Sequence, residues 1–155
     1  MTARQRWLSR CATGFGAGHL PGMPGTYGTL VGVIIYLILV PLPWSVYLLL
    51  TAGVAAAGIP ICRYGAEQLG RHDHPGIVWD EIAGFLVAMI AVPLSLASVL
   101  AGFVLFRLFD ILKPWPIGWL DRKVSGGIGM MLDDLVAGIA TCGCLHGMVY
   151  IGWLI

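Results

Sequence analysis

Long apolar stretches alternate with short charged segments along this chain. The stretches without any Asp, Glu, Lys or Arg span residues 29–62, 82–106 and 135–155. Every charged residue therefore falls within 1–28, 63–81 or 107–134. A helix of about 20 apolar residues crosses a bilayer core of roughly 30 Å. Because backbone in lipid must satisfy its own hydrogen bonds, the pattern predicts an all-α, multi-helical membrane bundle.

Prolines interrupt the first two apolar stretches. Pro41 and Pro43 divide the first stretch and Pro93 divides the second, and proline breaks a helix because it lacks an N–H donor. We therefore predict helices near 29–40, 44–60, 82–92 and 95–112, followed by one crossing in the last stretch. This arrangement has about five helical segments, forming two hairpins and a final transmembrane helix. The alternative is that each stretch is a single kinked span.

Basic residues distinguish these two topologies. Two hairpins place all three charged segments on one side of the membrane, whereas single kinked spans strand Arg63 and Arg71 on the opposite side. Lys and Arg are enriched in the cytoplasmic loops of membrane proteins. The hairpins therefore predict a multi-pass protein whose charged segments face the cytoplasm.

Composition supports a membrane protein and excludes several other classes. Of 155 residues, 58% are hydrophobic and only 11% are charged, and the mean hydropathy is +0.86. Nine Lys and Arg against eight Asp and Glu leave no basic field for nucleic acid. Four cysteines are too sparse for a secreted disulfide scaffold. We predict one domain over 1–155, in which 1–28 forms a cytoplasmic segment with a glycine-rich loop.

Carboxylates gather at the ends of the apolar stretches. These residues are Asp80, Glu81, Asp110, Asp133 and Asp134. Acids at the edge of a bilayer are costly unless they are paired or bind a cation. Several carboxylates arriving from three helix ends suit Mg²⁺. Side chains of adjacent residues on a helix point about 100° apart, so we expect only one direct metal ligand from each adjacent acidic pair. The alternative is that these acids cap helices and pair with nearby arginines.

Two cations accompany the acids. Arg107, Asp110 and Lys113 are spaced i, i+3, i+6, so a helix would place the carboxylate between two cations on one face. An arginine and a lysine there would neutralise a phosphate held by the metal. The residues alone predict metal-dependent chemistry on an anionic lipid headgroup.

Two other polar segments are candidates for binding or proton transfer. The run Pro24-Gly25-Thr26-Tyr27-Gly28-Thr29 could form a phosphate-cradling loop, or simply a turn followed by a helix cap. His72 and His74 flank Asp73, and either histidine could protonate a leaving alkoxide or serve only the loop structure. Asp121-Arg122-Lys123 lies next to tryptophans and resembles an anchor to anionic lipid.

In their order along the chain, these blocks resemble the phosphatidylglycerophosphatase A family of bacterial membrane enzymes. The matching blocks are Pro24–Leu30, His72–Pro75 with Val78–Glu81, Phe106–Ile117, Asp121-Arg122, and Gly126–Asp134 with Ala137-Gly138. The resemblance covers nearly the whole chain, and its charged positions show no departure. It implies an enzyme of the inner membrane that requires Mg²⁺. The expected reaction releases the terminal phosphate of phosphatidylglycerophosphate, leaving phosphatidylglycerol.

The resemblance and the spacing together suggest roles for the candidate residues. Metal ligands are expected at Asp80, Asp110 and Asp134, with Glu81 and Asp133 as further ligands or as the base that positions water. Lys113 and Arg107 would stabilise charge on the phosphoryl group. Gly25, Thr26, Gly28 and Thr29 would contact phosphate or glycerol oxygens. Direct attack by water is preferred to an aspartyl-phosphate intermediate.

An ion carrier is the main alternative from another class, because buried carboxylates also line ion pathways. A carrier needs acids distributed through the membrane depth, whereas these acids lie at the ends of the apolar stretches. A non-catalytic scaffold would give no reason for acids to gather at three helix ends. The pattern therefore favours the enzyme.

Overall fold

The computed structural model describes residues 2–71 and 74–154. Over these ranges the chain forms seven α-helices and one 3₁₀ helix, with no strand. The helices are α1 (Ala3–Ala12), the 3₁₀ helix (Gly14–His19), α2 (Pro24–Leu39), α3 (Trp44–Leu69), α4 (Trp79–Ala88), α5 (Leu96–Leu112), α6 (Ile117–Lys123) and α7 (Gly126–Tyr150). The all-α prediction is confirmed.

Both predicted proline breaks are present. The turn containing Pro41 and Pro43 separates α2 from α3, and the segment containing Pro93 separates α4 from α5. Ser95 then caps α5, since its hydroxyl accepts a hydrogen bond from the Ser98 backbone N–H at 3.0 Å. Two helices, α3 with 26 residues and α7 with 25, are long and apolar enough to cross a bilayer.

Several predicted boundaries were wrong, and most of the helices extend further than predicted, although α4 ends at Ala88 and not near 92. α2 begins at Pro24 and not near 29, α3 continues to Leu69, and α7 begins at Gly126. The structure also contains α1 and α6, which the apolar pattern did not predict. Loss of hydrophobicity marks where a helix would leave the lipid, but the backbone stays helical for one or more further turns. Pro24 is compatible with this early start, because proline suits the first position of a helix.

The charged segments meet at one end of the bundle, which we term the polar end. There the start of α2 at Gly25 lies against Glu81 of α4 and Arg107 of α5. The start of α7 reaches the same end, where Gly127 contacts the Arg63 side chain of α3. The ends of α3 and α5 therefore lie beside the starts of α2, α4 and α7, as two hairpins and a final helix require.

The opposite end, which we term the proline end, holds the turns between paired helices. The Tyr36 and Tyr47 rings meet edge to face across the first turn, with centroids 6.1 Å apart. His146, near the end of α7, has its Nε2 3.0 Å from the Ile90 carbonyl oxygen in the second turn. His146 thus links α7 to the segment between α4 and α5.

Helix α4 forms the centre of the bundle, although it is only ten residues long. It packs against α2, α3, α5 and α7, and residues 82–86 are all buried. The Phe85 ring makes edge-to-face contacts with Tyr36 and Phe106. The outer helices, by contrast, expose large apolar side chains, including Ile38, Leu49 and Leu100. A bundle that is apolar on the outside suits surrounding lipid.

Glycines let α4 and α7 approach closely near the polar end. A Cβ added to Gly84 would lie 2.7 Å from the Asp134 carbonyl oxygen, and one added to Gly138 would collide with the Gly84 carbonyl. This mutual approach places the start of α4 beside the acidic part of α7. Gly53 in α3 makes no such approach, since no described atom lies within 4 Å of a Cβ built there.

Substituting Gly138 by alanine is therefore expected to destabilise the bundle by about 2–3 kcal/mol, since the new methyl group meets backbone that cannot rotate away. Gly143→Ala on the same helix is the matched control, because no described atom lies within 4 Å of its added Cβ. The control should be neutral, or stabilised by up to about 1 kcal/mol by alanine's higher helix propensity. Chemical denaturation in detergent measures both. Equal stabilities would contradict the close approach.

Candidate active site

Carboxylates from three helices converge at the polar end. Ligand atoms from Asp80, Glu81 and Asp134 all lie within 4.8 Å of one another. Asp110, Asp133 and Asp134 form a second group by the same measure, so Asp134 is shared by the two groups. We call these five residues the acid cluster. The first turn of α4, the last turns of α5 and the third turn of α7 each supply part of it.

The acid cluster is shielded from solvent and has unused acceptor capacity. Asp80, Asp133 and Asp134 are 7%, 5% and 4% exposed. Within the described residues, Glu81 Oε2, Asp133 Oδ1 and Asp134 Oδ2 are buried without a hydrogen-bond partner. Buried polar atoms in native proteins are almost always paired, so these orphaned oxygens are chemically suited to bind a cation.

Burial and mutual repulsion also shift proton affinities at the start of α4, a helix too short to cross a bilayer. Burial, followed by the charge of Asp134, raises the pKa of Glu81 to about 8. Burial, followed by the charge of Glu81, raises the pKa of Asp80 well above its usual range. Even with Arg107 nearby, Glu81 would therefore be largely protonated at neutral pH unless a further positive charge is bound.

Arg107 crosses one side of the acid cluster. Its guanidinium forms a short ion pair with Asp110 one turn along α5, and Nη1 lies 3.9 Å from Glu81 Oε1. The guanidinium Nε is buried and has no partner in the described part of the chain. The predicted i, i+3 pairing is thus present, and one donor remains for an anion.

Lys113 lies on the other side of the acid cluster, where it makes contacts that its spacing in the sequence did not predict. The residue caps α5 in the left-handed conformation, with φ +45°, so it no longer follows the regular helical spacing from Asp110. Nζ instead donates to Asp133 and Asp121, each at 2.7 Å. Burial alone would lower the pKa of Lys113, but these two hydrogen bonds outweigh it and raise the pKa above its ordinary value. Lys113 is therefore a fixed cation.

The predicted glycine-rich loop is the first part of α2 and not a loop, which corrects that expectation. Thr29 is fully buried, and its hydroxyl donates to the Gly25 carbonyl at 2.9 Å within the helix. Gly28 packs against Val78, since a Cβ there would lie 2.5 Å from the valine Cβ. Thr26 is half-buried on the same turn. Gly25 is the member of this run that closely approaches Glu81 of the acid cluster.

Gly25 forms part of the wall of the site. A Cβ built on it would lie 2.6 Å from Glu81 Oε1 and 2.9 Å from Arg107 Nη2. Because only a hydrogen fits there, the backbone at the start of α2 approaches these two charged groups directly. The block containing Gly25 therefore borders the acid cluster by close approach of the backbone, and its contact with phosphate stays a prediction.

The acid cluster has the chemistry of a divalent-cation site. Its donors are all carboxylate oxygens, the ligands preferred by hard cations such as Mg²⁺. The orphaned oxygens of Glu81, Asp133 and Asp134 supply acceptors that the protein does not otherwise use. Both members of each adjacent acidic pair belong to the cluster, whereas one direct ligand from each pair was expected. Asp80, Glu81, Asp110 and Asp134 could hold the ion while Lys113 engages Asp133.

Asp121 was missed as a site residue, because its run Asp121-Arg122-Lys123 resembled a surface anchor. The sequence feature that could have indicated the position of Asp121 is Pro114, which follows the end of α5 and lets α6 fold back over Lys113. His74 is a loop residue in which Nδ1 accepts a hydrogen bond from the Gly76 N–H at 3.0 Å. The predictions for His72 and Asp73 lie outside the described residues.

Carboxylates gathered beside an arginine and a lysine at the end of an apolar helical bundle suit an enzyme that acts on a phosphate ester. The family model described as phosphatidylglycerophosphatase A matches residues 10–149. The chain belongs to the phosphatidylglycerophosphatase A family, and the resemblance seen in its motifs is confirmed.

Individual relatives agree with this membership. A phosphatidylglycerophosphatase A from Escherichia coli is 43% identical over 136 residues, which cover 87% of this chain and 79% of the relative. One from Haemophilus influenzae is 44% identical over 130 residues, covering 83% of this chain and 80% of the relative. A Bacteroides thetaiotaomicron protein, provisionally named a phosphatidylinositol-3-phosphatase, is 37% identical over 135 residues, covering 82% of this chain and 84% of the relative. No solved structure matches the chain.

Proposed function

We propose that this enzyme hydrolyses the terminal phosphate monoester of phosphatidylglycerophosphate, giving phosphatidylglycerol and inorganic phosphate, and that it requires Mg²⁺. The observation that carries the proposal is the acid cluster, flanked by Arg107 and Lys113 at the end of an apolar bundle. The names of the relatives from E. coli and H. influenzae support the choice of lipid.

The geometry suggests how the chain would hold its substrate. Arg107 and Lys113 lie on opposite sides of the acid cluster and would bind oxygens of the phosphate. Asp80, Glu81, Asp110 and Asp134 would bind Mg²⁺, which supplies Lewis acidity toward a phosphoryl oxygen. Asp133 is held in place by Lys113, and its unpartnered Oδ1 would accept a proton from the attacking water.

The apolar surface beside the site supports a lipid substrate. Leu108, Ile111 and Leu112 lie on the same turns of α5 as Arg107 and Asp110, and they are 46%, 59% and 67% exposed. Acyl chains could pack against these side chains while the headgroup reaches the acid cluster. The substrate would then be hydrolysed without leaving the bilayer.

Aromatic side chains support a multi-pass placement in the bacterial inner membrane. Exposed aromatic side chains lie at both ends of the bundle. The proline end has Trp44, Tyr150 and Trp153, and the polar end has Trp7, Trp115 and Trp119. Trp and Tyr favour both membrane–water interfaces. At about 1.5 Å per residue, α3 spans roughly 39 Å between these two belts. Because the basic residues collect at the polar end, the site would face the cytoplasm.

Phosphate release by the purified full chain, in mixed micelles with phosphatidylglycerophosphate, tests this function. We expect a chelator to lower release by at least about 100-fold, and added Mg²⁺ to restore it, because the acid cluster cannot bind a phosphate while its own charge is uncompensated. Absent or chelator-insensitive release would contradict the proposal. Phosphatidylinositol-3-phosphate in parallel micelles tests the alternative lipid that the B. thetaiotaomicron relative's name suggests.

A further inference from the structure

The N-terminal helix carries a basic surface that takes no part in the acid cluster. Arg6, Trp7 and Arg10 lie on one face of α1, at spacings that make them neighbours, and line a hollow of about 290 Å³. The opposite face packs on the bundle through buried Ala12 and half-buried Leu8. α1 is therefore an amphipathic helix lying on the outside of the polar end.

A second hollow continues this surface toward the 3₁₀ helix. Its volume is about 630 Å³, and Trp7, Arg10, Phe15 and His19 contribute to its lining. The Arg10 guanidinium carbon lies 5.8 Å from the centroid of the Trp7 ring. Phe15 has φ +58°, a backbone conformation that non-glycine residues rarely adopt, and its side chain is 60% exposed. The segment thus presents aromatic rings outward beside arginines.

This surface has an uncompensated positive charge. Residues 1–28 contain Arg4, Arg6 and Arg10 and not one Asp or Glu. In the described part of the chain, these arginines form no ion pair with a carboxylate elsewhere, although Arg63 and Arg107 both do. Guanidinium groups bind phosphate oxygens, and exposed Trp and Phe insert at the level of lipid headgroups. The chemistry complementary to the surface is an anionic phospholipid headgroup.

We propose that the α1 surface, defined by Arg6, Trp7, Arg10 and Phe15, binds anionic phospholipid headgroups at a site separate from the acid cluster. The proposal rests on the membrane placement given under the proposed function. A hydrogen bond joins α1 to the residue that precedes α4, since the Val78 N–H donates to the Ala12 carbonyl at 2.9 Å. A bound lipid would therefore hold α1 against the chain that leads directly into α4.

Lipid binding to the detergent-solubilised full chain tests the proposal without any turnover. Fluorescent phosphatidylserine is the probe, because it is anionic, has no phosphate monoester and is not the proposed product; phosphatidylcholine with the same chains is the reference. We expect at least about ten-fold tighter binding of phosphatidylserine by the wild type. Arg6→Gln with Arg10→Gln should remove most of that preference. Arg63→Gln with Arg71→Gln, an equal loss of charge at the same end, should keep it.

Equal binding of the two lipids by the wild type, or equal losses in the two double variants, would overturn the proposal. If the Arg6→Gln, Arg10→Gln protein fails to fold, the salt dependence of lipid binding by the wild type tests the proposal instead. Raising salt should weaken phosphatidylserine binding and leave phosphatidylcholine binding unchanged. A salt-independent preference would also overturn it. Phosphate release is measured separately, so failure of the lipid site and failure of the proposed reaction give different results.

Discussion

Replacing Asp134 by asparagine is expected to lower phosphate release by about 10³-fold while leaving the protein folded. Asp134 is the carboxylate shared by both groups of the acid cluster, and its Oδ2 is buried without a partner among the described residues. Asparagine preserves the size of the side chain but removes the charge that would hold a divalent cation. The loss should therefore appear in kcat, measured by phosphate release under saturating lipid and Mg²⁺.

Glu67→Gln is the matched control for that substitution. Glu67 is also a carboxylate near the polar end, but it is exposed and pairs with Arg63 on the surface of α3. Surface ion pairs contribute little, so release should change by less than about two-fold. If Asp134→Asn keeps near-normal activity under the same conditions, the acid cluster does not perform the chemistry.

A single methyl group at Gly25 should have the second largest effect, lowering kcat by about 100-fold. The added Cβ would lie 2.6 Å from Glu81 Oε1 and 3.0 Å from Arg107 Nη1. These are the ends of flexible side chains, so the fold can absorb Gly25→Ala, but only by moving the two charged groups. Displacements of about 1 Å in a catalytic arrangement can cost about 100-fold in rate.

The stability of the Gly25→Ala protein separates this effect from unfolding. Its melting temperature should match the wild type, because alanine is a better helix former than glycine and the contact is with side-chain ends. Gly53→Ala serves as the control, since no described atom lies within 4 Å of its added Cβ, and it should retain both activity and stability. Normal turnover by Gly25→Ala would show that the start of α2 does not bound the site.

Much of the architecture follows from where charge and proline occur in the chain. The breaks at Pro41, Pro43 and Pro93 correspond to real turns, since a missing N–H donor has the same consequence in any context. The gathering of acids at one end also follows, because hairpins return each charged segment to the same side. What hydrophobicity could not locate is the true end of a helix, as the early start of α2 at Pro24 shows.

The details of the site depended on backbone directions that spacing does not encode. Lys113 is three residues from Asp110, yet its left-handed backbone turns the side chain toward Asp133 and Asp121. Regular helical geometry cannot predict a contact made by a residue that has left the helix. The role of Gly25 was likewise hidden, since close approach between helices depends on packing around α4 and not on the local motif.

Direct measurement of metal binding tests the central claim, that carboxylates from α4, α5 and α7 together hold a divalent cation. Mn²⁺ can be counted by electron paramagnetic resonance, because binding removes the sharp six-line signal of the free ion, and it substitutes for Mg²⁺ at oxygen sites. We predict that the full chain binds Mn²⁺ in competition with Mg²⁺, that Asp134→Asn weakens this binding by at least about ten-fold, and that Glu67→Gln leaves it unchanged. Equal Mn²⁺ binding by the wild type and Asp134→Asn, or none by the wild type, would contradict the account.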